Sequence, residues 1–287
     1  CDPIFSVWRG TERFSQDIVW QRFNGAMQAG ERVLARYLQR YMTGARQTAA
    51  KAYYELARQP QRVSWRGAFS ADTMENRAAI SYGIRRYARR DAQKAAVAWR
   101  TFRSSHAFSA AERQLLDEHI AVELADDGQF PETDQREMLA SEFALNGMIN
   151  AAIAHQRWDE VLYWINRVSG VEAGKSRNQY WLARAQQQLG QPHSFAELAA
   201  RRDYYGFMAA AQVNDDVELN AAPAKPLSQA DEMRLLAIPG IARAIELFAV
   251  GDSLNARREW YRMTEVQDAS TLHQMAYLAQ RMGKLFL

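Results

Sequence analysis

Cysteine is almost absent from this chain. One, Cys1, occurs in 287 residues. No disulfide can close within the chain, and a cysteine-built zinc site is excluded. Cys1 is a free thiol, a lipidated mature terminus, or half of a bridge whose partner lies outside the chain. Long apolar runs are missing as well. Nothing approaches about 18 uninterrupted apolar residues, so no segment reads as a membrane span. A basic start leading into an apolar stretch, the mark of a secretion signal, is also lacking. The chain opens on Cys1 rather than Met, which reads as a processed form or a fragment.

Catalytic and cofactor motifs are equally scarce. The five histidines (His106, His119, His155, His193, His273) show no H-x-x-x-H spacing. No G-x-S-x-G elbow, Walker glycine loop or G-x-G-x-x-G turn occurs, which removes the common nucleotide and serine-hydrolase chemistries. No window alternates apolar and polar residues with Val, Ile and Thr enrichment, so strands are not expected. No catalytic, cofactor-binding or metal-binding residue is therefore assigned, and no cofactor is expected. Two carboxylates are candidate acids for glycosidic cleavage, because a Glu in apolar surroundings keeps its proton. They are Glu142 in "LASEFALNGM" and Glu246 in "AIELFAV". At these spacings each can pair with a nearby Arg or face solvent, and neither is taken as catalytic.

What is present is ordinary globular composition, 48% hydrophobic and 24% charged, enough for one large or two smaller units. Net charge is +3, but only five of the 36 basic residues are Lys. Arg binds carboxylates bidentately and stacks on rings. Its excess reflects either genome composition or an anionic, carbohydrate-bearing polymer as partner. Clusters such as "RRYARRD" (85–91) are too sparse, and too interrupted by acids, for nucleic acid.

Helical periodicity fills the chain. Ile18, Val19, Phe23 and Met27 recur at mostly i, i+4 spacing before Gly30. Val33, Leu34, Tyr37, Leu38 and Tyr41 form the next stripe, with Gly44 read as its stop. Further breaks fall at Arg90-Asp91, at Arg157-Trp158 with Asp159 as N-cap, at Gly190–Pro192, and at Gly251 with Asp252 or Ser253 as cap. Connections this short force antiparallel neighbours. Repeated hairpins must stack to bury their second faces, so the fold expected is an all-α solenoid of degenerate repeats. Trp99, Trp158, Trp164, Trp181 and Trp260 are expected in its core. A polar, Pro-containing stretch, "VNDDVELNAAPAKPLSQADE" (213–232), reads as a linker.

Four segments in order are "CDPIFSVWRG", "NQYWLARAQQQLGQ" (178–191), "RRDYYGFMAAAQV" (201–213) and "PGIARAIELFAVGDSLNARREWYRM" (239–263). Together they resemble the soluble lytic murein transglycosylases of Gram-negative bacteria, and the resemblance covers the whole chain. It implies a superhelical, ring- or arc-shaped domain at 1–214 with its first part missing, a linker segment at 215–228, and a helical linker domain at 229–287. The family's catalytic signature, Glu-Ser followed by Gly-Leu-Met-Gln, is not found. Ser141-Glu142 has the reverse order, so the lysozyme-like catalytic domain is expected to be absent. The resemblance further implies a periplasmic location. It implies peptidoglycan glycan strands and stem peptides as partners, with other cell-wall enzymes beside them. It also favours a bridge from Cys1 to an upstream cysteine. The segment "YYGFMAAA" then marks the end of the solenoid, where Gly206 allows a close approach and Phe207 packs. A non-enzymatic helical-repeat adaptor for other proteins is the alternative reading.

Overall fold

The structure, a computed structural model, describes residues 14–213 and 227–284 together with Val7, Gly10 and Thr11. Cys1 and residues 215–226 of the expected linker lie outside the described residues. Every regular element described is helical. The chain divides into two compact units, Cys1–Glu218 and Leu219–Leu287.

In the first unit α1 (Gln16–Gln28) folds back on α2 (Arg32–Leu38), and a 3-10 turn (Gln39–Tyr41) leads to α3 (Gly44–Glu55). Two more 3-10 turns (Pro60–Ser64 and Arg66–Ala68) precede α4 (Met74–Ala88) and α5 (Ala92–Ser105). There follow α6 (Ala110–Asp126), the short α7 (Thr133–Arg136), α8 (Glu142–Ala154) and α9 (Trp158–Ile165). The unit ends with α10 (Gly170–Ala173), α11 (Ser176–Gln188), α12 (Ala196–Ala199) and α13 (Tyr204–Val213). Helices pack on near neighbours in sequence. Helix α4 touches α3, α5 and α6; α6 touches α5 and α8; α9 packs on α8 and α11; α11 packs on α13. Contacts confined to near neighbours are those of a solenoid.

Local chemistry sets the helix starts. Thr73, Asp91 and Ser141 accept from the backbone N–H three residues on, and Ser109 with Glu112 makes a reciprocal capping box. The core runs along the stack, through Phe23, Tyr53 and Phe69, then Met148 and Trp164, then Tyr180 and Phe195. In the second unit α14 (Gln229–Leu236), α15 (Pro239–Ala249), α16 (Ser253–Thr264) and α17 (Ala269–Arg281) enclose Trp260. Of the tryptophans expected inside, Trp99, Trp164 and Trp260 are buried, while Trp158 and Trp181 are partly buried against the core.

Four local expectations need correction. Gly44 does not end a helix; it opens α3 at φ +56. Helix α2 has already stopped at Leu38, because Gln16 of α1 holds both sides of the break. Its amide donates to Tyr41 O at 2.7 Å and accepts from Thr43 N at 3.1 Å. Asp159 is not an N-cap. Arg157 holds that position, and Asp159 lies in the first turn of α9, where its charge favours the helix dipole. Val33 and Tyr37 do not share the buried stripe of α2; they are 86% and 42% exposed while Ala35 and Leu38 face the core. Phe207 is only half-buried, and the core is joined instead by Tyr205 and Met208.

The segment around Gly206 is a packing joint. Asp203 accepts from the N–H groups of Tyr205 and Gly206, each at 3.0 Å, and from Ser176 Oγ at 2.6 Å. It thus starts α13 and ties it to α11. A Cβ on Gly206 would stand 2.1 Å from Arg201 O and 3.0 Å from Leu198 O, both backbone atoms that cannot swing aside. Tyr205 stacks on Tyr180 with ring centroids 5.7 Å apart. His119 occupies a comparable buried seam. It sits on α6 beside Glu118, its ring 4.2 Å from that of Phe143 on α8, near the charges of Arg85 on α4 and of Arg89 just past the end of α4. Burial first, then those two guanidinium groups, push its pKa down to about 4.

Two outcomes follow. Gly206→Ala should lower stability by about 1–3 kcal/mol, the usual cost of overpacking. Gly25→Ala, on the exposed face of α1 with nothing within 4 Å of its Cβ, should be neutral or stabilising. Equal denaturation midpoints for the two variants would refute the joint. For His119, the unfolded ring takes its proton near pH 6.5. Acidification from that value to about 4 protonates the unfolded chain before the folded one, so stability falls across that window. Melting temperatures at the two ends should converge in His119→Gln; parallel curves for variant and parent would contradict this.

Candidate functional site

Glu142 stands exposed in the first turn of α8, and Glu246 exposed on α15. Neither is brought beside a second acid or a nucleophile. The buried carboxylates are two others, Glu118 at 3% exposure and Glu160 at 2%. Glu160 of α9 accepts from Arg136 at 2.5 Å and from the Trp164 indole N–H at 3.0 Å. Glu118 of α6 accepts from Ser141 Oγ at 2.6 Å, from Ser141 N at 3.2 Å and from Gln114 at 3.2 Å. Each is a strut between elements. Glu160 anchors α7 to α9, and Glu118 anchors the start of α8 to α6. Removing Arg136 would leave the Glu160 charge buried and uncompensated. A search for Glu in apolar runs overlooks them, because each has a decisive partner, Arg136 or Ser141, that arrives from a segment more than twenty residues away.

The histidines are likewise engaged locally. His106 ring nitrogens lie 3.0 Å from Phe69 O and 2.9 Å from Ser105 Oγ, and that of His155 lies 2.8 Å from Asp126 O. Among the described residues no group of His, Cys, Asp and Glu is arranged to hold a metal ion.

What the fold does assemble is concave, arginine-bearing surface. One hollow, about 740 Å³, lies between α5, α6 and the 131–139 segment. That volume suits a small-molecule ligand or a short stretch of polymer. Ile120, Ala121, Leu124 and Leu139 supply apolar lining. Asp117 takes the Trp99 indole N–H at 2.6 Å and Arg103 at 3.3 Å, so part of the polar wall is internally satisfied. Arg100 and Arg113 line the same hollow without a carboxylate partner among the described residues.

A second group of arginines is held by amides rather than by acids. Arg177 of α11 donates to the side-chain oxygens of Asn150 at 2.5 Å, Asn178 at 3.0 Å and Asn146 at 3.4 Å. Arg184 of α11 donates to Gln187 and, at 3.2 Å, to Gln212 of α13. Arg85 donates to Gln28 at 2.5 Å. An amide oxygen orients a guanidinium without neutralising it, so these cations keep their charge in a fixed pose. That arrangement is prepared for an incoming carboxylate. The paired arginines differ: Arg46 lies between Asp17 at 2.8 Å and Glu75 at 2.7 Å and has no charge to offer.

Known proteins share this architecture. Residues 234–284 match the family model described as the soluble lytic murein transglycosylase L domain. The soluble lytic murein transglycosylase of Salmonella typhimurium is 24% identical over 97% of this chain, and that of Escherichia coli K12 is 25% identical over the same share. The chain spans 44% of the length of each. Among solved structures, the lytic transglycosylase Slt of Pseudomonas aeruginosa, an inactive mutant, is 28% identical with a TM-score of 0.78, covering 100% of this chain and 48% of its own. The 70 kDa soluble lytic transglycosylase of Escherichia coli has the same fold, with a TM-score of 0.71 at 23% identity over 97% of this chain and 46% of its own. Residues 234–284 thus match a domain of the soluble lytic murein transglycosylases, and the chain as a whole is similar in fold and in sequence to proteins of that kind.

Proposed function

We propose that the chain is the helical, non-catalytic scaffold of a lytic transglycosylase and holds peptidoglycan for cleavage elsewhere in the complete enzyme. In this reading residues 1–214 are the superhelical domain and 229–287 the linker domain, and the protein works in the periplasm. The complete enzyme would break the β-1,4 bond between N-acetylmuramic acid and N-acetylglucosamine. Attack by the muramyl C6 hydroxyl would give a 1,6-anhydro end, with one Glu acting as acid and then as base.

The observation that carries the reading is the end-to-end likeness to the Pseudomonas aeruginosa transglycosylase, 28% identical at a TM-score of 0.78. The distribution of charge supports it. Peptidoglycan stem peptides carry carboxylates, and Arg177, Arg184 and Arg85 are oriented by amides that leave their charge uncompensated. The exposed positions of Glu142 and Glu246 support a non-catalytic role, since the acid of this reaction needs surroundings that hold its proton.

Purified sacculi provide the test. The chain should sediment with them at low salt. Most of that binding should be lost at 1 M salt, where the Debye length is roughly 3 Å. Arg177→Gln with Arg184→Gln should lower the bound fraction. Binding indifferent to both salt and these substitutions would overturn the charge-based reading. The isolated chain should release no anhydromuropeptides from the same sacculi. Release abolished by Glu142→Gln would show that a catalytic residue lies in this chain after all.

A further inference from the structure

Two adjoining hollows on the first unit lie away from the arginines discussed above. One, about 440 Å³, is formed by α3 and the two 3-10 turns at 60–68; the other, about 540 Å³, by α2 and α3. Tyr54 lines both. The sequence of this region explains its form. Pro60 begins the first 3-10 turn and is buried with Val63, which pins the turn to the body. Trp65 ends that turn in an extended conformation before the next one starts, so its side chain is turned outward. It is 57% exposed, against 3% or less for Trp99, Trp164 and Trp260. The indole is kept in place from one side by Arg62, whose guanidinium carbon lies 4.7 Å from the ring centroid. Arg32 covers Tyr54 in the same way at 5.7 Å. Tyr37, the residue of α2 that turned out to face solvent, lines the second hollow beside Val33.

Around these rings the charge is mostly positive. Arg32, Arg36 and Arg40 line the hollow on α2, and Lys51 and Arg62 the hollow on α3. Arg36, Arg40 and Lys51 have no carboxylate partner among the described residues. Glu55 is the one acid lining either hollow, 3.5 Å from Arg62. Gln39 and Thr48 add uncharged polar groups.

An immobilised, outward-facing indole with donors and an acceptor at its edge matches one chemistry well. A pyranose ring presents a flat face of C–H groups and a rim of hydroxyls and amides. The face packs on an aromatic ring, and the rim takes hydrogen bonds. Single-stranded nucleic acid also stacks on rings and meets cations. Glu55 in the same hollow as the Trp, however, suits a neutral sugar ring, whose hydroxyls it accepts from, and opposes a phosphate at every unit. The neighbouring hollow, with Arg36 and Arg40 and no acid in its lining, is where anionic groups of the chain would sit. We propose that this surface, built on Trp65, Tyr54 and Tyr37, binds a carboxylate-bearing oligosaccharide. Trp65 carries the sugar ring, and Arg36, Arg40 and Lys51 meet the carboxylates. The choice of polymer rests on the scaffold reading above; the placement rests on the exposed rings and their cations.

Calorimetric titration of the whole chain tests this with three probes: a hyaluronan octasaccharide as the anionic sugar chain, chitohexaose as its neutral counterpart, and oligo(dT). The hyaluronan probe should bind, and Trp65→Ala should weaken it about ten-fold, the scale of one lost aromatic stacking contact. Trp65→Phe, which keeps a ring, should retain most of the affinity and guards against a folding artefact. Arg36→Gln with Arg40→Gln should weaken the anionic probe several-fold and leave chitohexaose unchanged. Three results would overturn the assignment: no saccharide binding at millimolar concentration, affinity indifferent to Trp65→Ala, or tighter binding of oligo(dT). Sacculus binding that persists when both saccharides fail removes this inference and leaves the scaffold reading standing. Loss of both removes both.

Discussion

In a stack of short helices no hairpin can bury both of its faces alone, and the rest of the first unit follows from that constraint. Each helix must offer one face to its own partner and another to the next repeat. The small residues sit where this is tightest. A Cβ on Gly147 would come within 2.6 Å of Val122, at the contact of α8 with α6, and one on Gly83 within 3.0 Å of Leu56 and Val63. The joint at Gly206 is the extreme case, since there the neighbour is backbone. Burial on near neighbours lets the core extend along the stack instead of closing into a ball.

The same constraint decides where buried charge is tolerated. Turns between helices bring unsatisfied backbone and long side chains close to the core, and Glu118 and Glu160 are spent there. One takes the N–H and hydroxyl of Ser141, the other Arg136 and an indole N–H. Both have the burial that an acid catalyst needs, and Glu118 even lines the hollow between α5 and α6. Yet both oxygens of each carboxylate are already taken by hydrogen bonds, from Ser141 and Gln114 or from Arg136 and Trp164. Burial by itself therefore does not make a catalytic acid; an unsatisfied, accessible carboxyl does.

The arginines divide by partner. Some, such as Arg46 and Arg136, are neutralised by carboxylates and hold helices together. Others, such as Arg177, are aimed by amides and keep their charge. A third set, Arg36 on α2 and Arg40 in the 3-10 turn after it, lies exposed beside Tyr37. The first set is architecture. The other two give the solenoid a surface that can hold an anionic polymer at several points, where many weak contacts add through effective concentration.

The helical class, the short connections and the start at Asp252 were legible in the sequence, because capping and 3.6-residue periodicity act within a few residues of each other, as where Asp252 accepts from Asn255. The four ordered segments also carried the family. The sequence was silent wherever the partner comes from afar. Gln16 breaks the chain at Thr43, 27 residues on, so a glycine that looked like a stop became a start. Periodicity assigned Val33 and Tyr37 to the core, but among the described residues no later helix covers that side of α2, and both are exposed. Trp65 gave no signal, since its exposure depends on two 3-10 turns pinned by Pro60 and Val63. Which arginines keep their charge was likewise decided by tertiary structure alone, because the answer rests on whether an amide or a carboxylate arrives from another helix.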